Sequence, residues 1–275
     1  MRTGIVTSAV AAIFVSVLIS GGAQAGTTVY SFATPTSITV AEPHVDTPGA
    51  WYIDRYPSNV FAAGATAPDG RSGVLEEGIA ASDFQGVDSY NDWQGYEYDV
   101  NLSGPVQSIS IDLYVSQAML LTQQEYSVFI TANGVNSSNQ STGFPQFDFG
   151  TLGPVFTTPD GTRYGPGTVG FNDGGSNGLV AVTTPGWYNL DMVLTVGTGM
   201  QYFVNGVSCL TTSDPYTTNL PNFELDSLNF GSSYDTYWDN LTTTSTPEPI
   251  SLVFFGTGLV AVGGFMARRR MPRKA

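Results

Sequence analysis

The chain has 275 residues, with 9 Lys+Arg against 23 Asp+Glu, one His and one Cys. Between residues 26 and 246 the only cations are Arg55, Arg71 and Arg163, so that stretch carries 3 − 22 = −19. It has no clustered cations to meet phosphates, no cysteine pair and no Cys/His set, which excludes nucleic-acid binding, a disulfide scaffold and a zinc finger.

Met1-Arg2-Thr3 precedes an apolar run from Ile5 to Ile19, and Ala23-Gln24-Ala25 follows. A basic start, a short apolar core and an A-x-A site predict a secretory signal peptide over 1–25, cleaved after Ala25, with Ala23 and Ala25 as the small residues at the site.

Residues 26–241 predict an all-β domain. Short β-rich runs recur between Gly, Pro, Asn, Asp and Ser, with almost no helical period. Ser108–Val115 alternates Ile109, Ile111, Leu113 and Val115 with Ser108, Ser110 and Asp112, the pattern of a half-buried strand. Tyr96–Leu102, Tyr126–Thr131 and Leu179–Val182 are similar, and a short helix is placed at Ser116–Gln124. Trp187–Val196 and Met200–Val207 flank Gly197-Thr198-Gly199 as a hairpin, and Asn205-Gly206 turns the chain into Val207–Leu210. Asp226–Phe230 and Thr236–Leu241 supply the last pair. Roughly a dozen strands at this spacing predict a two-sheet antiparallel β-sandwich.

Residues 242–249 read as a polar linker. The 18 apolar residues 250–267 predict a transmembrane helix, since at ~1.5 Å per residue they reach about 27 Å against a hydrocarbon core of roughly 30 Å. Residues 268–275, with five cations, predict a cytoplasmic tail.

Pro247-Glu248-Pro249, the Gly-rich apolar helix and Arg268-Arg269-Arg270 together resemble the PEP-CTERM sorting signal of exported proteins in Gram-negative bacteria. The resemblance covers about residues 246–275 and implies recognition by a membrane exosortase, removal of the helix near the Pro-Glu-Pro triplet, and association with exopolysaccharide and biofilm. It implies an inner-membrane-anchored intermediate and then a cell-surface or extracellular product. The block from Trp187 to Asn240 resembles the closing part of concanavalin A-like (LamG-like) jelly rolls, through its Gly-Trp-Tyr start, its Val204-Asn205-Gly206 turn and its Asp239-Asn240 end. That resemblance implies a jelly roll, often with carbohydrate binding.

No catalytic set stands out. Gly174-Gly175-Ser176-Asn177-Gly178 matches G-x-S-x-G, but the surroundings are all-β and the sole His44 precedes the serine. Concanavalin-like glucanases carry an E-x-D-x-x-E strand; in Glu97-Tyr98-Asp99-Val100-Asn101-Leu102 the last position is Leu102. Adjacent Glu76 and Glu77 would face opposite sides of a strand. Cys209 reads as a buried, inert thiol. Hard oxygen donors would accommodate a structural calcium, with Asp173, Asp235 and Asp239 as ligands. The loop-like segment Tyr90–Tyr96 mixes aromatics with amides, so Tyr90, Asn91, Trp93 and Tyr96 are the first sugar-contact candidates. Trp51-Tyr52, Tyr234 and Tyr237-Trp238 come second, with Trp187 and Trp238 favoured as core. The expectation is an exported, non-enzymatic surface or matrix protein associated with exopolysaccharide. The alternative is a secreted glycan-active enzyme, a glycoside hydrolase or lyase, on the same fold.

Overall fold

The structure is a computed structural model and describes residues 26–246, apart from 42–46, 87–91, 103, 122–126, 152–155, 158–160, 162, 165–167 and 175–177. Both termini therefore lie outside the described residues, including Ala23, Ala25, Pro247, Glu248, Pro249, Arg268, Arg269, Arg270 and the candidate span 250–267. Among the described residues no helix is long and apolar enough to cross a membrane.

In chain order the strands are β1 (Thr27–Val29), β2 (Trp51–Ile53), β3 (Val60–Thr66), β4 (Ser72–Ile79), β5 (Trp93–Asp99), β6 (Val106–Val115), β7 (Ser127–Val135), β8 (Ser141–Gly143) and β9 (Gln146–Thr151). Then come β10 (Phe156–Thr157), β11 (Arg163–Tyr164), β12 (Val169–Asn172), β13 (Gly178–Ala181), β14 (Gly186–Thr195), β15 (Gly199–Val204), β16 (Val207–Ser213), β17 (Asn219–Leu228) and β18 (Tyr234–Ser245). Every ladder pairing is antiparallel, in two eight-stranded sheets and a separate two-stranded ribbon of β10 and β11. The first runs β16-β15-β14-β6-β18-β4-β3, with β1 also on β18. The second runs β13-β12-β9-β7-β17-β5-β2, with β8 on β7. The chain is thus an all-β, two-sheet jelly-roll sandwich.

Period two sets the layers. On β6, Ile109, Ile111 and Leu113 are fully buried while Ser108, Ser110 and Asp112 face outward, as the alternation predicts. On β17, Phe223 and Leu225 enter the same core and Asn222, Glu224 and Asp226 point the other way. Aromatic pairs tie the sheets together: Phe61 of β3 stacks on Tyr96 of β5 at 3.9 Å, and Phe147 of β9 meets Tyr202 of β15 edge-on at 5.2 Å. Such pairs add about 0.5–1.5 kcal/mol each beyond their burial.

Local rules hold at the turns. Asn205 and Gly206 both take positive φ, 51° and 73°, the conformation a tight hairpin demands. On β18, Asn240 adopts φ 51° at a register shift between Asp239 and Thr242, which keeps both Trp238 and Leu241 pointing inward.

Four boundaries differ from the sequence expectation. Trp93–Asp99 is a strand, because pairing with β17 on one side and β2 on the other supplies its ladder. The expected helix from Ser116 shrinks to Gln117–Leu120 and does carry a cap, the Ser116 hydroxyl accepting from Met119 N at 3.3 Å. β17 starts at Asn219, well before Asp226. β18 continues through Ser245 into the stretch read as linker, because β1 and β6 pair with its end.

Candidate functional site

The outward face of the second sheet carries the densest chemistry. Glu224 on β17 lies directly opposite Glu97 on β5, and Asp226 lies opposite Gly95. β5 is edged by β2, whose continuation reaches Asp54; Asp54 N donates to Gly95 O at 3.2 Å. A side chain at position 95 would separate Asp54 from Asp226. Glycine leaves that space open, and Asp226 Oδ1 sits in it, closer than 3.0 Å to where a β-carbon would be. The result is a cluster in which one carboxylate oxygen each from Asp54, Glu224 and Asp226 lies within 4.8 Å of the others. Glu97 borders it and accepts from Asn222 Nδ2.

Its electrostatics are unfavourable for bare charge. Two charged carboxylates within 4.8 Å of each other repel by about 3.5 kcal/mol or more at an effective dielectric constant of ~20. Asp226 is 1% exposed, and its Oδ1 has no hydrogen-bond partner; Asp54 Oδ2 is also without one. Burial pushes Asp226 well above the usual carboxylate range, helped by the charges of Asp54, Glu224 and Glu77 and opposed by Arg55. Glu224 is pushed up to about 7, by burial first and then by Asp54 and Glu97, opposed by Arg55 and by a side-chain hydrogen bond with Asp226. Burial also raises Asp54, against the pull of Arg55. Arg55 Nε is 3.4 Å from Asp54 Oδ2, and its guanidinium carbon lies 4.5 Å above the Trp93 ring.

Beyond one end of this strip are two open depressions flanking the β7–β8 hairpin. One, of about 440 Å³, is lined by Asp99, Asn133, Asn139, Ser141 and Asn222 among others. The other, of about 520 Å³, is lined by Asn136, Ser137, Ser138, Thr142, Thr218 and Tyr216 with Pro215. Tyr216 is 73% exposed, and its loop is held by Asp214 Oδ1, which accepts from Tyr216 N at 3.0 Å and Thr217 N at 3.2 Å.

The expected sites fall differently. Tyr96 is a core residue, stacked on Phe61, and offers no ring to a ligand. Trp93 points outward but is half-buried: it covers Phe129, 5.2 Å away, and is itself covered by Arg55. Tyr90, Asn91 and His44 lie outside the described residues. Trp51, Tyr52 and Tyr234 are buried, and Trp238 is core as expected. Trp187 is not core. It lies on the outward face of the first sheet, its Nε1 donating to Asp69 at 2.8 Å and Arg71 lying 4.0 Å over its ring.

Of the expected calcium ligands, Asp235 and Asp239 are on β18 in the first sheet, and Asp173 follows β12 in the second. Asp239 is engaged by Arg71 at 3.2 Å. The structure does not bring the three together, and the acidic cluster that it does form uses none of them. Glu76 and Glu77 do face opposite ways: Glu76 accepts from Tyr237 OH at 3.1 Å at the surface, while Glu77 is fully buried. Cys209 is buried and free, its thiol raised by burial. The E-x-D spacing of Glu224-Leu225-Asp226 was available in the sequence as a one-face pair. Its meeting with Asp54 and Glu97 depends on strands more than a hundred residues apart.

The sheet order and the acidic strip define a jelly-roll sandwich with a polar outer face. No protein-family model and no curated protein matches the chain. Solved structures similar to it include a carbohydrate esterase from the Shiga toxin-encoding bacteriophage phi24B, at 10% identity over 80% of this chain and 100% of that one, TM-score 0.46. They also include the cellulose-induced protein Cip1, at 9% identity over 71% and 91%, TM-score 0.43. A Bacillus licheniformis β-glucanase is similar at 11% identity over 82% and 99%, TM-score 0.36.

Proposed function

We propose that the chain is an exported, non-enzymatic surface protein that associates with extracellular polysaccharide through the hairpin end of its second sheet. The observation that carries this reading is Tyr216, exposed beside a shallow depression lined by hydroxyls and amides, with a second amide-lined depression across the same hairpin. Asn, Ser and Thr groups exchange hydrogen bonds with sugar hydroxyls, and an exposed aromatic ring covers the apolar face of a pyranose. Delivery rests on the sequence pattern of Pro247-Glu248-Pro249, the apolar helix and the terminal arginines, with exosortase as the processing partner. Retention of the secreted protein on the host's own exopolysaccharide, compared with the Tyr216→Ala variant, tests the reading; equal passage of both through the matrix overturns it.

A second reading, a glycan-active enzyme, is favoured by one observation. Glu97 and Glu224 face each other on neighbouring strands, and Glu224 holds its proton up to about pH 7, as a general acid must. Turnover of any glycan by the secreted protein, lost in Glu224→Gln, would favour it.

A further inference from the structure

The geometry points to a divalent-cation site, with a donor set suited to Ca²⁺, at Asp54, Glu224 and Asp226 on the outer face of the second sheet. It is separate from the proposed carbohydrate surface and does not depend on it.

Size is the first ground. Two oxygens bound to one Ca²⁺ at about 2.4 Å can be at most about 4.8 Å apart. The three carboxylates each offer an oxygen within 4.8 Å of the others. Three carboxylates with one open side suit the flexible oxygen shell of Ca²⁺ better than Mg²⁺, which demands a near-octahedral shell and keeps several waters.

An orphaned oxygen is the second ground, and it is independent of the count of acids. Asp226 is 1% exposed, yet its Oδ1 has no hydrogen-bond partner. Buried carboxylate oxygens without partners are costly and call for an explanation such as an ion. That oxygen lies in the space left by Gly95, whose missing side chain is what allows Asp54 to approach from the other side.

Charge is the third ground. Asp54, Glu224, Asp226 and Glu97 bring four carboxyl groups together, and Arg55 is the one cation that opposes them. A divalent ion would supply the remaining counter-charge with hard oxygen donors. The rest of its shell would come from water on the open side, since Asp54 and Glu224 are only half-buried.

The test uses the secreted protein stripped with EDTA. Tb³⁺ luminescence, sensitised by the neighbouring Trp93, and calorimetric titration with Ca²⁺ read occupancy. One Ca²⁺ per chain is expected, with affinity falling at least tenfold in Asp226→Asn and in Asp54→Asn. Asp54→Asn alters a half-exposed edge position and serves if the buried variant fails to fold. An Asp239→Asn variant should bind as the parent does. Absence of any Ca²⁺ binding at millimolar concentration overturns the proposal, and so does binding that survives Asp54→Asn or disappears in Asp239→Asn. Loss of polysaccharide retention in Tyr216→Ala with Ca²⁺ binding intact would separate this site from the proposed function.

Discussion

Asp226 occupies the place that a side chain at Gly95 would take, on the strand directly beside it. A β-carbon at 95 would also run into the Leu225 carbonyl, which is backbone and cannot swing aside. Gly95→Ala should therefore separate β5 from β17 locally and cost about 3 kcal/mol, the upper range of overpacking. Urea midpoints of the two proteins check this. A loss under about 0.5 kcal/mol would mean that the two strands are not in this register.

Glu77 gives the sandwich a pH dependence of known sign. It is fully buried between the sheets, and burial pushes its carboxyl up to about 8, against the pull of hydrogen bonds from Trp238, Thr236 and Ser227. In the unfolded chain the same group titrates near 4.5. The folded state thus keeps a proton that the unfolded state releases, so this contribution is whole below pH ~4.5 and is lost as pH rises through about 8. One such group gives at most 1.36 kcal/mol per pH unit. Asp226, raised chiefly by burial, and Glu224 act in the same direction. Unfolding free energy should fall from pH 5 to pH 8 in EDTA, and Glu77→Gln should remove about one proton's worth of that slope. A slope unchanged in the variant would show that Glu77 is ionised in the fold.

How far these features are legible in the sequence depends on the range of the forces that make them. Ser108–Val115 is legible because period two and a half-buried face are properties of eight consecutive residues. Asn205-Gly206 is legible because positive φ is a local demand. The acidic cluster is not, since Asp54, Glu97 and Glu224 meet only through β2–β5 and β5–β17 pairing. Tyr96 misleads in the other direction. Its neighbours Asn91, Asp92 and Gln94 look like a loop, but Asp92 and Gln94 are fully buried polar residues in the structure. Composition alone cannot distinguish a buried amide from a solvated one.

The two ends of the domain are joined. Ser245 N donates to Gly26 O at 2.8 Å, and Thr27 pairs with Thr244. Thr243 and Ser245 are buried, although their sequence reads as polar linker. A secreted chain beginning at Gly26 and ending beyond Ser245 would keep the whole β1–β18 ladder. Ending the chain at Thr242 should cost about 1–6 kcal/mol, for two to four net hydrogen bonds at ~0.5–1.5 kcal/mol each. Intact mass of the mature protein checks the natural ends, and thermal unfolding of the truncated form checks the cost. A natural C-terminus before Thr244 would overturn the expectation.

Trp93 and Tyr216 should separate stability from ligand contact. Trp93 was the leading sugar-contact residue by sequence, yet its ring is held between Arg55 and Phe129. Removing it uncovers Phe129, which is 3% exposed but outside the inter-sheet core, and releases the guanidinium beside Asp54. Trp93→Ala should cost about 2–3 kcal/mol, somewhat less than truncation of a fully buried aromatic. Tyr216 has most of its surface in solvent, so Tyr216→Ala should change stability by under about 0.5 kcal/mol. If the hairpin end is the contact surface, retention on exopolysaccharide falls at least fivefold in Tyr216→Ala, while folded Trp93→Ala at low temperature is retained as the parent is. The opposite pattern, with retention lost at Trp93 and kept at Tyr216, would move the contact surface onto the acidic strip.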